Sequence, residues 1–454
     1  VASEPARPEL SEPSSLQGGW AGARTALLVY LVLLLALPQQ LIIAPLGFTG
    51  SPATVWGLVC FLWWSWYHVN RARRVAEPRA VRVAALLLLG AVLLSYTRAM
   101  TVPLAPDELS VADGGLLRVL SWLGVALLAA DGLVDLEDWH RVLDWFMGVV
   151  GLLALLGIVQ ALTGQLWVDR ISIPGLVSNT QLALTDARDG HPRPVGTATH
   201  AIEFGQILAM GVLVSGAATS VRPSRVSRSA ALLCAAATIM VVSRSAVVSV
   251  VIGALVLAPV LTRRQRIEGA AAAFLVLLVA FVTQPGLLGT LGRMFTGISG
   301  DASARSRTDS YSYAQYAFAS HPLVGKGFGT FLPKYRILDN QWLLSAIEIG
   351  ALGVIALILF MAAVVSSGLR SERRFGDRRD RVVARGVSAA VVAVCVGMLF
   401  YDGFSFAQAT GLLFLVCGLG AAALRISSAP PPERPRDEGD ADGVPAGIIG
   451  MGRG

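Results

Sequence analysis

The chain has 454 residues, 54% hydrophobic and only 15% charged, with a formal net charge of +7 and a mean hydropathy of +0.62. A soluble domain averages about 25% charged residues, so a free-standing soluble fold is excluded. The positive balance is nearly all arginine, with Lys326 and Lys334 the only lysines, and its short clusters between apolar runs fit membrane orientation rather than nucleic-acid binding.

In chain order, residues 1–24, with Pro5, Pro8 and Pro13, are expected to form a flexible cytoplasmic lead-in. That stretch lacks the short apolar core and small-residue cleavage site of a signal peptide. Crossing a bilayer takes roughly 20 apolar residues. Such runs fall at about 25–44, 52–69, 80–97, 115–131, 140–163, 199–220, 227–242, 245–262, 268–284, 342–367, 384–400 and 404–424. The expectation is an all-α polytopic membrane domain over 25–424 with about twelve spans. Residues 425–454, rich in Pro, Asp, Glu and Gly, are expected to be a disordered cytoplasmic tail.

The arginine clusters give the orientation. Arg71, Arg73, Arg74, Arg79 and Arg82 follow the second span, and Arg222, Arg225 and Arg228 the sixth. Arg263, Arg264 and Arg266 follow the eighth, and Arg370 to Arg381 the tenth. All are even-numbered connections, so one face, the cytoplasmic one, carries them. Both termini then lie inside. The pattern survives only if Val226–Leu261 is two helices turning at Ser243-Arg244-Ser245, which puts Arg244 at the outer surface.

Two outer connections are long, about 164–198 and 285–341, and long loops in compact proteins are usually functional. The second contains an expected amphipathic helix over Asp309–Ser320. It then runs into His321-Pro-Leu-Val-Gly-Lys-Gly-Phe-Gly329, where Pro322 stops the helix and Gly325, Gly327 and Gly329 permit a tight loop. A histidine held there, beside the membrane, is a candidate general base near neutral pH. Of the other histidines, His191 and His200 also fall on the outer side.

Arginine is suited to bidentate phosphate binding, and Arg193, Arg244 and Arg307 stand on the outer side near apolar boundaries. Glu203 and Glu348 lie a turn or two inside the outer ends of their helices, where a carboxylate is either paired or functional. Asp402 reads as a cap of the last outer turn. The glycine string lacks the spacing and preceding strand of a nucleotide loop. Cys60, Cys234, Cys395 and Cys417 sit singly in apolar runs, without metal-ligand or disulfide spacing. The one Asp-x-Asp, Asp440-Ala-Asp442, lies in the acidic tail. No cofactor or metal is expected.

Several of these pieces, in this order, resemble the O-antigen ligase family, which includes the related polymerases. They are Arg193-Pro-Val-Gly196 followed by His200-Ala-Ile-Glu203, then Ser243-Arg244-Ser245 between two spans. Next come Arg307 about fourteen residues before His321, the His-Pro-Leu-x-Gly-x-Gly segment, and Asn340-Gln-Trp-Leu with Glu348-Ile-Gly350. His200 departs from the proline or asparagine that many members carry there. The resemblance spans roughly 25–424.

The resemblance implies an integral-membrane, GT-C-like glycosyltransferase of the plasma membrane, acting on its outer face. Its donor would be a glycan on a polyprenyl pyrophosphate, and its acceptor a hydroxyl of another glycan or glycolipid. His321 would be the catalytic base. Arg193, Arg244 and Arg307 would grip the departing pyrophosphate, so that no metal is required, with His200, Glu203 and Glu348 as further substrate-binding residues. The rival reading is a transporter or flippase of lipid-linked oligosaccharide, which would carry charge along a path through the membrane. Here the candidate residues gather at one surface.

Overall fold

The computed structural model describes residues 22–70, 79–103, 105–179, 193–283 and 302–428, with the backbone alone over 302–310. Most of the expected lead-in and tail, His191, and Arg71, Arg73 and Arg74 lie outside these residues. The helices in chain order are α1 (Ala23–Leu35), α2 (Pro52–Asn70), α3 (Arg79–Met100), α4 (Pro106–Gly132), α5 (Leu136–Thr163) and α6 (Ala201–Val221). They continue as α7 (Arg225–Met240), α8 (Arg244–Leu257), α9 (Arg263–Thr283), α10 (Ala302–Ser320), α11 (Gln341–Arg374), α12 (Arg378–Gly397) and α13 (Ala407–Ser428). A helix stands at every expected span, and α10 starts earlier than the expected amphipathic helix. Seven of the described helices are long and apolar enough to cross a membrane. The protein is a polytopic helical membrane protein. One short antiparallel pair, β1 (Leu41–Ile42) and β2 (Val177–Ser178), joins two connections.

Local chemistry sets several helix starts. Asp135 accepts the Asp138 N–H at 2.8 Å before α5, and Ser224 accepts that of Ser227 at 3.0 Å before α7. Asn340 accepts the N–H groups of Trp342 and Leu343 before α11. Such side chains satisfy donors that a helix leaves open at its first turn. Inside the bundle, small residues let backbones approach. A Cβ on Gly124 of α4 would fall 2.6 Å from the Gly57 carbonyl oxygen of α2. One on Gly418 of α13 would fall 2.5 Å from that of Ala126. The periphery is apolar, with Phe274 of α9 66% exposed, as suits lipid contact.

Polar contacts sort the connections into two ends. At one end Asp131 accepts from Trp64 Nε1 (2.8 Å) and from Arg82 Nη2 (2.8 Å), and His140 pairs with Asp380 (2.8 Å). There too Arg378 donates to Gln265 (2.8 Å), and Arg425 donates to the carbonyl of Ala130. Even-numbered connections thus share one end, with arginines among their contacts. At the other end Gln39 N–H donates to Thr197 O (2.9 Å), Arg193 Nε to Val241 O (3.0 Å), and Gln341 N–H to Tyr401 O (3.0 Å). The odd-numbered connections meet there, as an up-and-down path requires.

Candidate active site

The segment after α10 is shaped by its backbone. Gly325, Gly327 and Gly329 all have positive φ (74°, 130° and 81°), which side-chain-bearing residues rarely adopt. Facing them, α11 is broken at Gly350, with φ 65° and ψ −173°. A break frees carbonyls and N–H groups that must find partners away from water. The loop supplies them. Lys326 N–H donates to Ile347 O (2.9 Å) and Gly327 N–H to Glu348 O (2.9 Å). In return Ala351 N–H donates to Pro322 O (2.8 Å) and Leu352 N–H to Leu323 O (3.1 Å). A Cβ on Gly350 would lie 2.3 Å from Leu323 O, and one on Gly325 equally near Glu348 O. His321-Pro-Leu-Val-Gly and Glu348-Ile-Gly350, separate in the sequence, therefore form one stapled unit.

Side chains brace this unit from two helices, α3 and α4. Ser95 Oγ of α3 donates to Glu348 O at 2.6 Å. The buried Glu348 carboxylate accepts the Phe331 N–H at 3.4 Å and faces Arg118 of α4. Glu108, at the start of α4, accepts from Lys326 Nζ at 2.7 Å and from Tyr335.

His321 meets an arginine. Arg98 Nη2, at the end of α3, lies 3.0 Å from its Nδ1 and 2.9 Å from its Nε2. Burial, then the charges of Arg98 and Lys326, holds the imidazole below the ordinary histidine range, so at neutral pH the ring is uncharged. Asp402, between α12 and α13, has its carboxyl pushed up to about 6 by burial.

A second group forms around the break between α7 and α8. The chain turns at 241–243, two residues before the expected Ser243-Arg244-Ser245, giving two helices. Val242 adopts φ 51° there, a strained conformation for a β-branched residue. Arg193, itself buried, donates Nε to the adjacent Val241 carbonyl and so holds the turn. Arg244 is the first residue of α8, half-buried, with Ser243 as cap and Ser243 Oγ 3.1 Å from Ser245 Oγ. A guanidinium at a helix start adds to the positive end of the helix dipole, which suits an anion.

His200 and Glu203 are turned toward backbone. His200 caps α6, its Nδ1 accepting the Ile202 N–H at 3.1 Å. Glu203 accepts the N–H groups of Gln408 (2.8 Å) and Ala409 (3.2 Å) at the start of α13, and of Thr199 (3.2 Å). Arg307 falls on the first half of α10, where only the backbone path is described. The structure thus joins His321 to Glu348, and Arg193 to the turn before Arg244. His200 lies against Phe406, which neighbours Tyr401, whose carbonyl accepts the Gln341 N–H at the start of α11. Arg98, Arg118, Glu108 and Asp402 were not among the expected site residues. The available signal was charge inside or at the outer end of an apolar run.

Beneath Arg98 and the stapled break runs a groove of about 600 Å³ between α3 and α11. Its lining is apolar side chains apart from Thr97, from Thr97 and Leu352 at the top to Leu86 and Leu359 below. It opens on the surface that faces lipid.

Residues 229–358 match the family model for O-antigen ligase. The chain carries an O-antigen ligase domain. The match runs from α7 into α11, and takes in Arg244, Arg307, His321, Glu348 and Gly350. Arg98, Arg193, His200 and Glu203 lie outside the matched segment. No curated protein matches the chain. An O-antigen ligase domain on a polytopic helical frame makes this a cell-envelope membrane protein of polysaccharide biosynthesis. Its activity, at a general level, is that of a ligase- or polymerase-like membrane glycosyltransferase.

Proposed function

We propose that the protein transfers a glycan from a polyprenyl-pyrophosphate carrier to a hydroxyl of an acceptor glycan, at the extracytoplasmic face of the plasma membrane. The observation that carries this reading is the pairing of the His321 unit with an apolar groove directly below it. A donor of that class has a long apolar tail and an anionic head next to the reacting carbon. In the proposed GT-C-like arrangement the tail lies along the α3–α11 groove, and the pyrophosphate meets Arg244 with Arg193 and Arg307. Both termini face the cytoplasm, with the arginine-bearing end.

The step balances without a further reactant. The acceptor oxygen attacks the anomeric carbon and forms the new glycosidic bond. The carbon–oxygen bond to pyrophosphate breaks, and its electron pair leaves with the polyprenyl pyrophosphate. The acceptor proton passes to His321. Guanidinium groups stabilise the charge that develops on the leaving group, so the mechanism requires no metal. His200, Glu203 and Glu348 shape the site through their backbone contacts.

The test uses the full chain in proteoliposomes, with a glycan-loaded polyprenyl pyrophosphate and an acceptor glycolipid. Elongated acceptor and free polyprenyl pyrophosphate in equal amounts are expected. Movement of the donor between leaflets without any product would favour the flippase reading. A cysteine at Gly376, exposed between α11 and α12, is expected to react with an impermeant thiol reagent only after cells are opened. Labelling in intact cells would reverse the proposed orientation.

The groove makes a separate prediction. Gly90 of α3 lines it, and a Cβ there meets nothing within 4 Å. Gly90→Leu is therefore expected to fold normally while filling part of the groove. Displacing tail atoms forfeits contacts worth roughly 0.1–0.2 kcal/mol each. Ten such contacts raise the KM for donor about tenfold, with kcat little changed. A donor shortened by several prenyl units should lose less. An unchanged KM for both donors would remove the tail from this groove.

A further inference from the structure

We propose that Arg98 is a positioning residue for His321: its guanidinium, set against both ring nitrogens, fixes the imidazole in its uncharged, proton-accepting form. This rests on the reading of His321 as the base.

The argument starts from donors and acceptors. A guanidinium has only N–H donors, and a protonated imidazole likewise has only donors. A neutral ring offers one acceptor nitrogen, so at most one of the approaches of Arg98 Nη2, 3.0 and 2.9 Å from the two ring nitrogens, is a hydrogen bond. A protonated ring offers none and adds a like charge. Among the described residues no carboxylate pairs with His321. The charged groups that face it are Arg98 from α3 and Lys326 from its own loop, and Lys326 is itself committed to Glu108 of α4. Burial and both cations act in the same direction on the ring. In a Ser-His-Asp triad the group behind the histidine is a carboxylate, which stabilises the imidazolium. Here it is a cation, which favours the empty base.

Geometry supports positioning as well as charge. Arg98 stands at the last turn of α3, three residues from Ser95, whose hydroxyl holds the Glu348 carbonyl of the stapled break. One helix therefore holds both the broken turn of α11, to which the loop is stapled, and the His321 ring.

The experiment reads the charge state directly. Neutral imidazole is acylated by diethyl pyrocarbonate and the protonated ring is not. The rate of modification of the His321 peptide, followed by mass spectrometry between pH 5 and 8, therefore reports its titration whether or not the protein transfers glycans. Arg98→Gln is expected to move the midpoint to higher pH, and Arg98→Lys, which keeps the charge, to leave it near the parent. In transfer assays Arg98→Gln should lose about threefold or more additional activity at pH 6 relative to pH 8. Coincident acylation curves for the parent, Arg98→Gln and Arg98→Lys would overturn the proposal, however much activity each variant keeps. If the curves separate as expected but no variant or parent shows transfer, the charge coupling stands and the proposed function fails.

Discussion

His321→Ala is expected to abolish transfer while the protein remains folded in the membrane. The loop owes its shape to backbone bonds, including His321 N–H to Phe318 O and Gly325 N–H to His321 O at 3.0 and 3.1 Å, which alanine retains. The glycine conformations and the four bonds to the broken turn of α11 are equally indifferent to the imidazole. What is lost is the proton acceptor, and general-base catalysis contributes roughly 10²–10⁴-fold. A kcat reduced by that factor, with an unchanged size-exclusion profile and donor KM, is the expected signature of a transition-state role. Near-parental transfer by His321→Ala would take the residue out of the mechanism.

Arg244→Lys tests the grip on the leaving group. Arg244 opens α8 directly after the strained Val242, and Arg193 secures the turn through the Val241 carbonyl. Placement by so costly a backbone suits a side chain that must point one way. A guanidinium holds two phosphate oxygens in a plane, whereas an ammonium is a point charge. Losing one or two charge-assisted contacts, about 1.5–4 kcal/mol, lowers kcat/KM on the order of 10- to 1000-fold. Were Arg244 only reaching for lipid headgroups, lysine would do as well. Full activity in Arg244→Lys would therefore withdraw it from the site, and a loss confined to stability would assign it to the turn instead.

The helical frame was legible because apolar length and arginine placement are local properties of the chain. That Val226–Leu261 is two helices was legible for the same reason, although the turn falls at 241–243 and not at Ser243-Arg244-Ser245: a single helix would have set two arginine clusters on opposite faces. The partners of the site residues were not. Arg98 ends an apolar run, where an arginine ordinarily reads as reaching for headgroups, and its contact with His321 joins residues 223 apart. Arg118 lies deep in α4, within the expected span, and only the fold turns it toward Glu348. Gly350 entered only as the end of the Glu348-Ile-Gly350 piece. Its role as a break depends on a loop that satisfies the freed backbone, and no periodicity reports that. Glu203 was flagged as an intramembrane carboxylate, yet its partners are backbone N–H groups of Gln408 and Ala409, two hundred residues on. Side chains that bind backbone leave no complementary charge in the sequence to find.

The stapled break also sets an order of events during synthesis. Chains emerge N-terminus first at about 5–20 residues per second, so residues 321–329 appear before the 347–352 turn that completes them. Until α11 has entered the bilayer, the carbonyls of Pro322 and Leu323 lack the N–H groups of Ala351 and Leu352. The nascent site is thus incomplete while its own loop is already made. Completion of the candidate site becomes a late step, tied to insertion of the helix that follows it. A chain cut short before Gly350 would carry the histidine on a loop without its α11 backbone partners.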